Sequence, residues 1–287
     1  MVLGYSKGVS TQRVLLVAGD PVLHDQLAGL LRREDRSIQD VYNGGDALEY
    51  LRATPYDVVV AGQSGRNGSS GTTLLRRLRS VRPDTKVILT GERSPARAVA
   101  AIRARAFGYV HNPPAAGPLA EMVQAAVTSS SWRDDLKVIS AKPDWVTLGL
   151  RCKLEAAERS IHLIRELISE TSNAVCEDVT AAARELLLNA IEHGGELNER
   201  KRVRVSLLRT SRAVMVHIQD PGKGFSLDLL PHAAVNNPEG SPTQHAEIRS
   251  EQGQRPGGFG ILMASKLVDE LLYNERGNEV FFVKNLA

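Results

Sequence analysis

Residues 183–195, ARELLLNAIEHGG, settle how the second half of this 287-residue chain is read. On a helix over 179–192, Val179, Ala182, Ala183, Leu186, Leu187, Ala190 and Ile191 form an apolar stripe. Glu185, Asn189 and His193 recur at i, i+4 and i+8 on another face. Alone, such a polar stripe is the wet side of an amphipathic helix. Its surroundings give it more weight. The helix, starting at about 176, follows another helical pattern at 155–170, and strand patterns lie at 136–140, 145–150, 203–208, 213–219 and 279–284. A helix over 261–272 precedes the last strand. Runs of strands and runs of helices, without strict alternation, predict an α+β two-layer sandwich with helices on one face of a mixed sheet. Residues 226–257 show little periodicity, and so long an irregular stretch in a compact domain is expected to be a functional lid.

Upstream the pattern changes. Apolar or β-branched runs at 13–17, 38–42, 58–61, 87–89 and 109–111 alternate with helical patterns, the last at 119–127. Strands separated by helices require crossovers, so a doubly wound α/β parallel sheet is expected here. Ser129-Ser130-Ser131 and Trp132-Arg133-Asp134-Asp135 interrupt the pattern. The expected organisation is a first domain over 1–128, a linker over 129–135 and a second domain over 136–287.

With 42% hydrophobic and 24% charged residues, disorder, collagen and a disulfide scaffold are excluded. No apolar run approaches the roughly 18 residues of a membrane span, and the opening residues lack the apolar core of a secretory signal, so a cytoplasmic protein without membrane attachment is expected. Cys152 and Cys176 form neither a CxxC pair nor a metal-ligand set, and they are expected as reduced buried thiols. The net charge of +3 conceals an excess of basic residues over 1–130, where 16 Lys and Arg face 11 Asp and Glu. Arg76, Arg77, Arg79, Arg82, Arg93, Arg97, Arg103 and Arg105 read as solvated helix faces. Without aromatic stacking partners or a DNA-binding motif, an acidic protein is a better partner than nucleic acid.

Residues 13–127 resemble the response-regulator receiver domain of two-component signalling. VLLVAGDP (14–21), YDVVVAG (56–62), ILTG (88–91) and FGYVHNPP (107–114) carry the resemblance. The family's reaction needs a carboxylate nucleophile, an acidic pair for Mg²⁺, a hydroxyl and a lysine. Here the corresponding positions are Gly62, Ala18 with Gly19, Thr90 and Asn112, with Asp20 the remaining acid. Asp57 begins its strand, away from the carboxyl edge where ligands bind in such folds. The resemblance therefore implies a pseudo-receiver that takes no phosphoryl group and serves docking or dimerisation.

Over 136–287, ExxxN in ARELLLNAIEHGG, then DPGKGF (220–225), then RPGGFGILM (255–263), are similar in order and spacing to the N, G1 and G2 boxes of the gyrase, MutL and histidine-kinase ATP-binding superfamily. The nearest resemblance is to anti-sigma-factor serine kinases. It implies an ATP pocket between helices and sheet. Asn189 would ligate Mg²⁺ through a neutral oxygen. Asp220 would accept from the adenine amino group and reject guanine. Gly222 and Gly224 would let backbone approach base and sugar, and Gly257, Gly258 and Gly260 the phosphates at a helix start. Glu185 is the implied general base, activating a hydroxyl in the serine kinases and water elsewhere in the superfamily. Arg255 either steadies developing phosphate charge or is a solvated lid residue, and His193 either stabilises a helix end or faces phosphate. Lys223 reads as solvated. His162, in IHLIREL, superficially resembles a phosphoacceptor box, yet it precedes Asn189 by only 27 residues, inside the first helix of the ATP domain.

The leading expectation is a regulator that transfers the γ-phosphoryl of Mg·ATP to Ser or Thr of a protein partner, an anti-anti-sigma or sigma factor being the type implied. A second copy of the chain is a further candidate partner. The rivals are a non-catalytic ATP-dependent switch and a structural adaptor.

Overall fold

The computed structural model describes residues 11–62, 71–114, 116–129, 131–225 and 259–286. Contacts divide the chain into two compact units, one of Met1–Arg93 with Ala100–Ser130, the other of Ser94–Val99 with Ser131–Ala287.

The first half runs β1 (Gln12–Val17), α1 (Pro21–Leu31), β2 (Arg36–Val41), α2 (Gly44–Ala53), β3 (Val58–Gly62), α3 (Gly71–Val81), β4 (Lys86–Gly91), α4 (Pro95–Arg103), β5 (Gly108–His111) and α5 (Ala116–Thr128). All ladders are parallel, in the order β2-β1-β3-β4-β5, the doubly wound arrangement expected from the alternation. The central strands are buried on both faces and therefore read as unbroken apolar runs, with Val14–Leu16 and Val58–Ala61 fully covered. Local chemistry starts the helices: Asp20 caps α1 by accepting from the Leu23 N–H at 2.8 Å, with Pro21 at the first helical position. Asn43 caps α2 in the same way. Asp57 ties the entrances of β1 and β3 together, its carboxylate taking the Arg13 N–H at 2.7 Å while its own N–H reaches the Arg13 carbonyl.

The second half runs β6 (Leu136–Lys142), β7 (Trp145–Arg151), α6 (Leu154–Leu167), α7 (Asn173–Asn189), a π-helical turn (Ala190–Gly194), β8 (Arg202–Arg209), β9 (Ala213–Gln219), α8 (Gly260–Leu267), β10 (Glu270–Tyr273) and β11 (Glu279–Asn285). The sheet has the order β10-β11-β9-β8-β7-β6. Where a mixed sheet was expected, every ladder is antiparallel. Four pairs of consecutive strands lie side by side, β7 and β8 among them because α6 and α7 together return the chain beside β7 in the opposite direction. The helix expected over 261–272 stops at Leu267. Val268 is extended, Lys284 Nζ donates to the Leu267 carbonyl at 2.8 Å, and the next residues form β10.

Alternation builds the core. Val203, Val205, Leu207, Val214, Val216, Ile218, Val280 and Phe282 point to the helix-covered face and are buried, as are Val179, Ala183, Leu186 and Leu187 of α7 opposite them. The segment expected as a linker enters this unit: Trp132 and Asp135 are buried, and the Arg159 guanidinium donates to the Trp132 carbonyl at 2.8 Å while lying 5.3 Å from that ring's centroid. Burial lowers the Arg159 pKa to about 10 and raises that of Asp135.

Candidate functional site

Asn189 closes α7, and Glu185 stands one turn earlier on the same half-buried stripe. The start of α8 comes against both. A Cβ at Gly260 would stand 2.9 Å from Glu185 Oε2 and 3.5 Å from Asn189 Nδ2, so a glycine here leaves the two polar groups room.

Just beyond Asn189 the helix widens into the π-turn, a deformation frequent at functional sites. The turn presses Gly194 onto the Asp220 carboxyl so closely that any side chain at 194 would collide with it. Gly222 closes the same knot, since a Cβ there would meet Asp220 Oδ1 at 2.7 Å and the Gly194 carbonyl at 2.9 Å. Asp220 Oδ1 accepts from the Gly222 N–H at 2.7 Å. Burial raises the Asp220 pKa, opposed by that N–H and by Arg276 and Lys201. An acceptor at a strand end, flanked by glycine backbone, is chemically suited to a nucleobase amino group.

The β10–β11 hairpin holds this loop. The Asp220 N–H donates to the Asn278 carbonyl at 3.0 Å, and Asn278 Nδ2 returns a bond to the Asp220 carbonyl at 3.4 Å. Arg276 Nε donates to the Lys223 carbonyl at 3.1 Å. Gly224, at φ +82°, packs against the Arg276 carbonyl, a conformation and a clearance that exclude a side chain. Phe225 and Tyr273 meet edge to face at 5.3 Å, and burial beside Asp220 raises the Tyr273 pKa.

Glu185, Asn189 and Gly260 are thus brought together, as are Asp220 and Gly222, with Gly224 farther along the same loop. His193 is exposed on the π-turn, which breaks the regular spacing that placed it on the polar stripe. Arg255, Gly257, Gly258 and the expected lid lie outside the described residues. Gly194, Arg276 and Asn278 were not singled out from sequence; the Gly194-Gly195 pair at a helix end was the signal for the first, while the others depend on a hairpin about fifty residues downstream in the chain. His162 is buried within α6, where desolvation with Arg165 and Arg184 nearby lowers its pKa to about 4. Among the described residues no three His, Cys, Asp or Glu side chains converge on a cation site.

At the carboxyl edge of the parallel sheet, a Cβ at Gly62 would meet Leu23 Cδ2 at 3.0 Å, the Ala18 methyl at 3.4 Å and Thr90 Oγ1 at 3.7 Å. Thr90 is fully buried, and Asp20 is engaged as a helix cap. Leu23 and Ala18 present apolar surface beside Gly62.

The chain belongs to the histidine kinase-like ATPase domain family, whose model matches residues 139–284. Residues 14–124 match the response regulator receiver domain. The chain is similar to the receiver domain protein of Clostridium thermocellum, with 20% identity, TM-score 0.37, and coverage of 40% of this chain and 94% of that one. It is also similar to a LuxR-family two-component response regulator of Aurantimonas sp. SI85-9A1, with 24% identity, TM-score 0.38, and coverage of 41% and 86%. A CheY-like receiver protein of Methanospirillum hungatei JF-1 gives 23% identity, TM-score 0.38, and coverage of 41% and 94%. Comparison with curated proteins gives no match. Membership of the ATPase family implies ATP binding, and the receiver places it in a signalling context. The glycine-lined surroundings of Asp220 and the open polar pair Glu185 and Asn189 fit a nucleotide with its magnesium ion. No helix among the described residues is long and apolar enough to cross a membrane.

Proposed function

We propose that residues 136–287 bind Mg·ATP and transfer its γ-phosphoryl group to a serine or threonine hydroxyl of a protein partner in the cytoplasm, in the manner of the anti-sigma-factor serine kinases that the sequence resembles. Residues 1–128 act as a docking module without phosphoryl chemistry, joined through 129–135. An anti-anti-sigma or sigma factor is the partner type this reading implies.

The observation that carries the reading is the approach of Gly260 to Glu185 and Asn189, which gathers two sequence boxes at one point. Asp220, held by Gly194, Gly222 and Asn278, supplies the adenine acceptor. Asn189 would hold magnesium, whose charge neutralises phosphate oxygens when bound. Arg255, Gly257 and Gly258 would complete the phosphate side, with His193 near its outer rim. In the transfer, the partner's hydroxyl oxygen bonds to the γ-phosphorus as the bond to the ADP oxygen breaks. Glu185 takes the hydroxyl proton.

A non-catalytic switch is the second reading, favoured by the first domain: Gly62 packed against Leu23 suggests that a fold in this chain persists without its reaction. Radiolabelled ATP with the co-purified partner separates the two. Acid-stable phosphoserine or phosphothreonine should appear, with Glu185→Gln keeping ATP binding but slowing transfer about a hundredfold. Asn189→Ala should lose magnesium-dependent binding and transfer together. Nucleotide binding that alters partner affinity without any transfer of label would replace the kinase by the switch.

A further inference from the structure

The face of the six-stranded sheet opposite α6–α8 carries a cleft of about 390 Å³, a size that suits a small molecule. Gly149 is its floor. It stands inside β7, paired with Lys137 on one side and Arg204 on the other, and its φ lies outside the left-handed region, so backbone conformation does not call for glycine there. A glycine within a strand marks a place where something approaches the backbone closely. A Cβ at 149 would come 3.6 Å from Ile139 Cδ1 and 3.9 Å from both Arg202 Cδ and Lys137 Cβ, so the surrounding side chains converge on the position it leaves bare. Ile139 joins them through the irregularity in β6 between Val138 and Ser140. The cleft is cationic: Lys137, Arg202 and Arg204 line it against one acid, Asp220. Arg202 donates to the Asp134 carbonyl at 2.8 Å and the Gly149 carbonyl at 3.2 Å, which fix its guanidinium without neutralising it. Lys137 and Arg204 form no ion pair among the described residues. Glu279, the acid in the same row of the ladders, is held by Gln219 Nε2 at 2.9 Å and His217 Nε2 at 3.1 Å. Strand alternation turns the Asp220 carboxyl to the other face, against Gly194, so only the end of β9 closes the cleft.

We propose that this cleft is a second ligand site, distinct from that of the nucleotide, and that it takes a small phosphomonoester. Three cations without an opposing acid beside them favour a dianion over a carboxylate. A phosphate group carries about −1.5 to −2 charge at neutral pH and three acceptor oxygens. Lys137 and Arg204 stand two strand spacings apart, about 10 Å at their α-carbons, with only the glycine between them. Their long side chains close around a phosphate seated on Gly149, the Arg204 fork taking two oxygens and the Lys137 ammonium acting as a point charge. Ile139 offers the ester's organic group an apolar wall. Occupancy leaves Glu185, Asn189 and the Asp220 carboxyl free, since all three serve the helix-covered face.

Phenyl phosphate is the probe, titrated into the full chain near neutral pH and followed by broadening of its ring-proton signals, with circular dichroism to confirm folding. It should bind with a roughly millimolar Kd, and benzoate, with the same ring and a single charge, about tenfold more weakly. Gly149→Val fills the floor with a residue that favours a strand, so the melting temperature should hold or rise while phenyl phosphate binds about tenfold more weakly. Arg204→Gln, at an exposed position, should weaken it by a similar factor. Saturating Mg·ADP should leave the Kd within about threefold, as expected of separate sites. Absence of binding at about 10 mM overturns the proposal, as does binding indifferent to both substitutions. Benzoate bound as tightly as phenyl phosphate overturns the choice of ligand, and displacement of the probe by Mg·ADP overturns the separation from the nucleotide site.

Discussion

The α-carbon of Gly260 and the carboxylate of Glu185 stand so close that a methyl group at 260 would lie 2.9 Å from Glu185 Oε2. Gly260 opens α8 and Glu185 is on α7, so one contact connects two helices separated by about seventy residues of chain.

Gly260→Ala probes that contact. Alanine favours helix by up to about 1 kcal/mol over glycine, so the melting temperature should hold or rise. The methyl instead displaces the end of a flexible carboxylate side chain. If Glu185 is the base, transfer slows by about tenfold or more with little change in KM for ATP, because a misplacement below 1 Å acts on the reacting geometry. Unaltered transfer would remove Glu185 from the chemistry.

Asp220 joins stability to ligand with opposite signs. Its native pKa is raised above the ordinary 3.8, mainly by burial, so the stabilisation its neutral form gives is present below pH 3.8 and lost as pH rises through the native value. Asp220→Asn should therefore leave the ligand-free protein as stable or more stable at pH 7, while the rise in melting temperature on adding ATP disappears. Thermal melts with ATP, ADP and GTP measure both effects. Equal stabilisation by GTP, or an ATP shift that survives the substitution, would place the base elsewhere.

His162 makes the second unit sensitive to acid. Its pKa falls from 6.5 to about 4 on burial, so its contribution is complete above pH 6.5 and is lost as pH falls through 4. At pH 5 the loss is about 2 kcal/mol, from the linkage of one such group. His162→Leu should flatten the acid limb of the stability profile of residues 131–287 measured in the full chain, and no acid-labile phosphohistidine should form on incubation with ATP. An unchanged acid limb would show that other groups set it.

What the sequence disclosed follows period and locality. Val14–Leu16 and Val58–Ala61 read as buried parallel strands because both faces are covered, and Glu185 and Asn189 fall one helical turn apart. Three features depended on partners distant in the chain. Glu270–Tyr273 continues a helical pattern and becomes a strand only because β11 offers a free edge. The mixed sheet gave way to antiparallel ladders because strand direction is set by how connections return, which local hydrophobicity does not encode. The π-turn inserts its extra width at Ala190–Gly194, so regular spacing carried His193 too far while hiding the contact of Gly194 with Asp220.

The packing of Leu23 and Ala18 over Gly62 would make the loss of chemistry proposed for the first domain a ratchet. An aspartate restored at 62 would have to evict Leu23, whose backbone N–H is engaged by Asp20, and would still face Ala18 and Gly19 where cation ligands are required. Each isolated reversal costs packing and returns no reaction, so a mutational path back crosses a valley of less stable intermediates. On the docking role proposed above, the surface of the domain would answer to binding partners and not to a phosphorylation cycle.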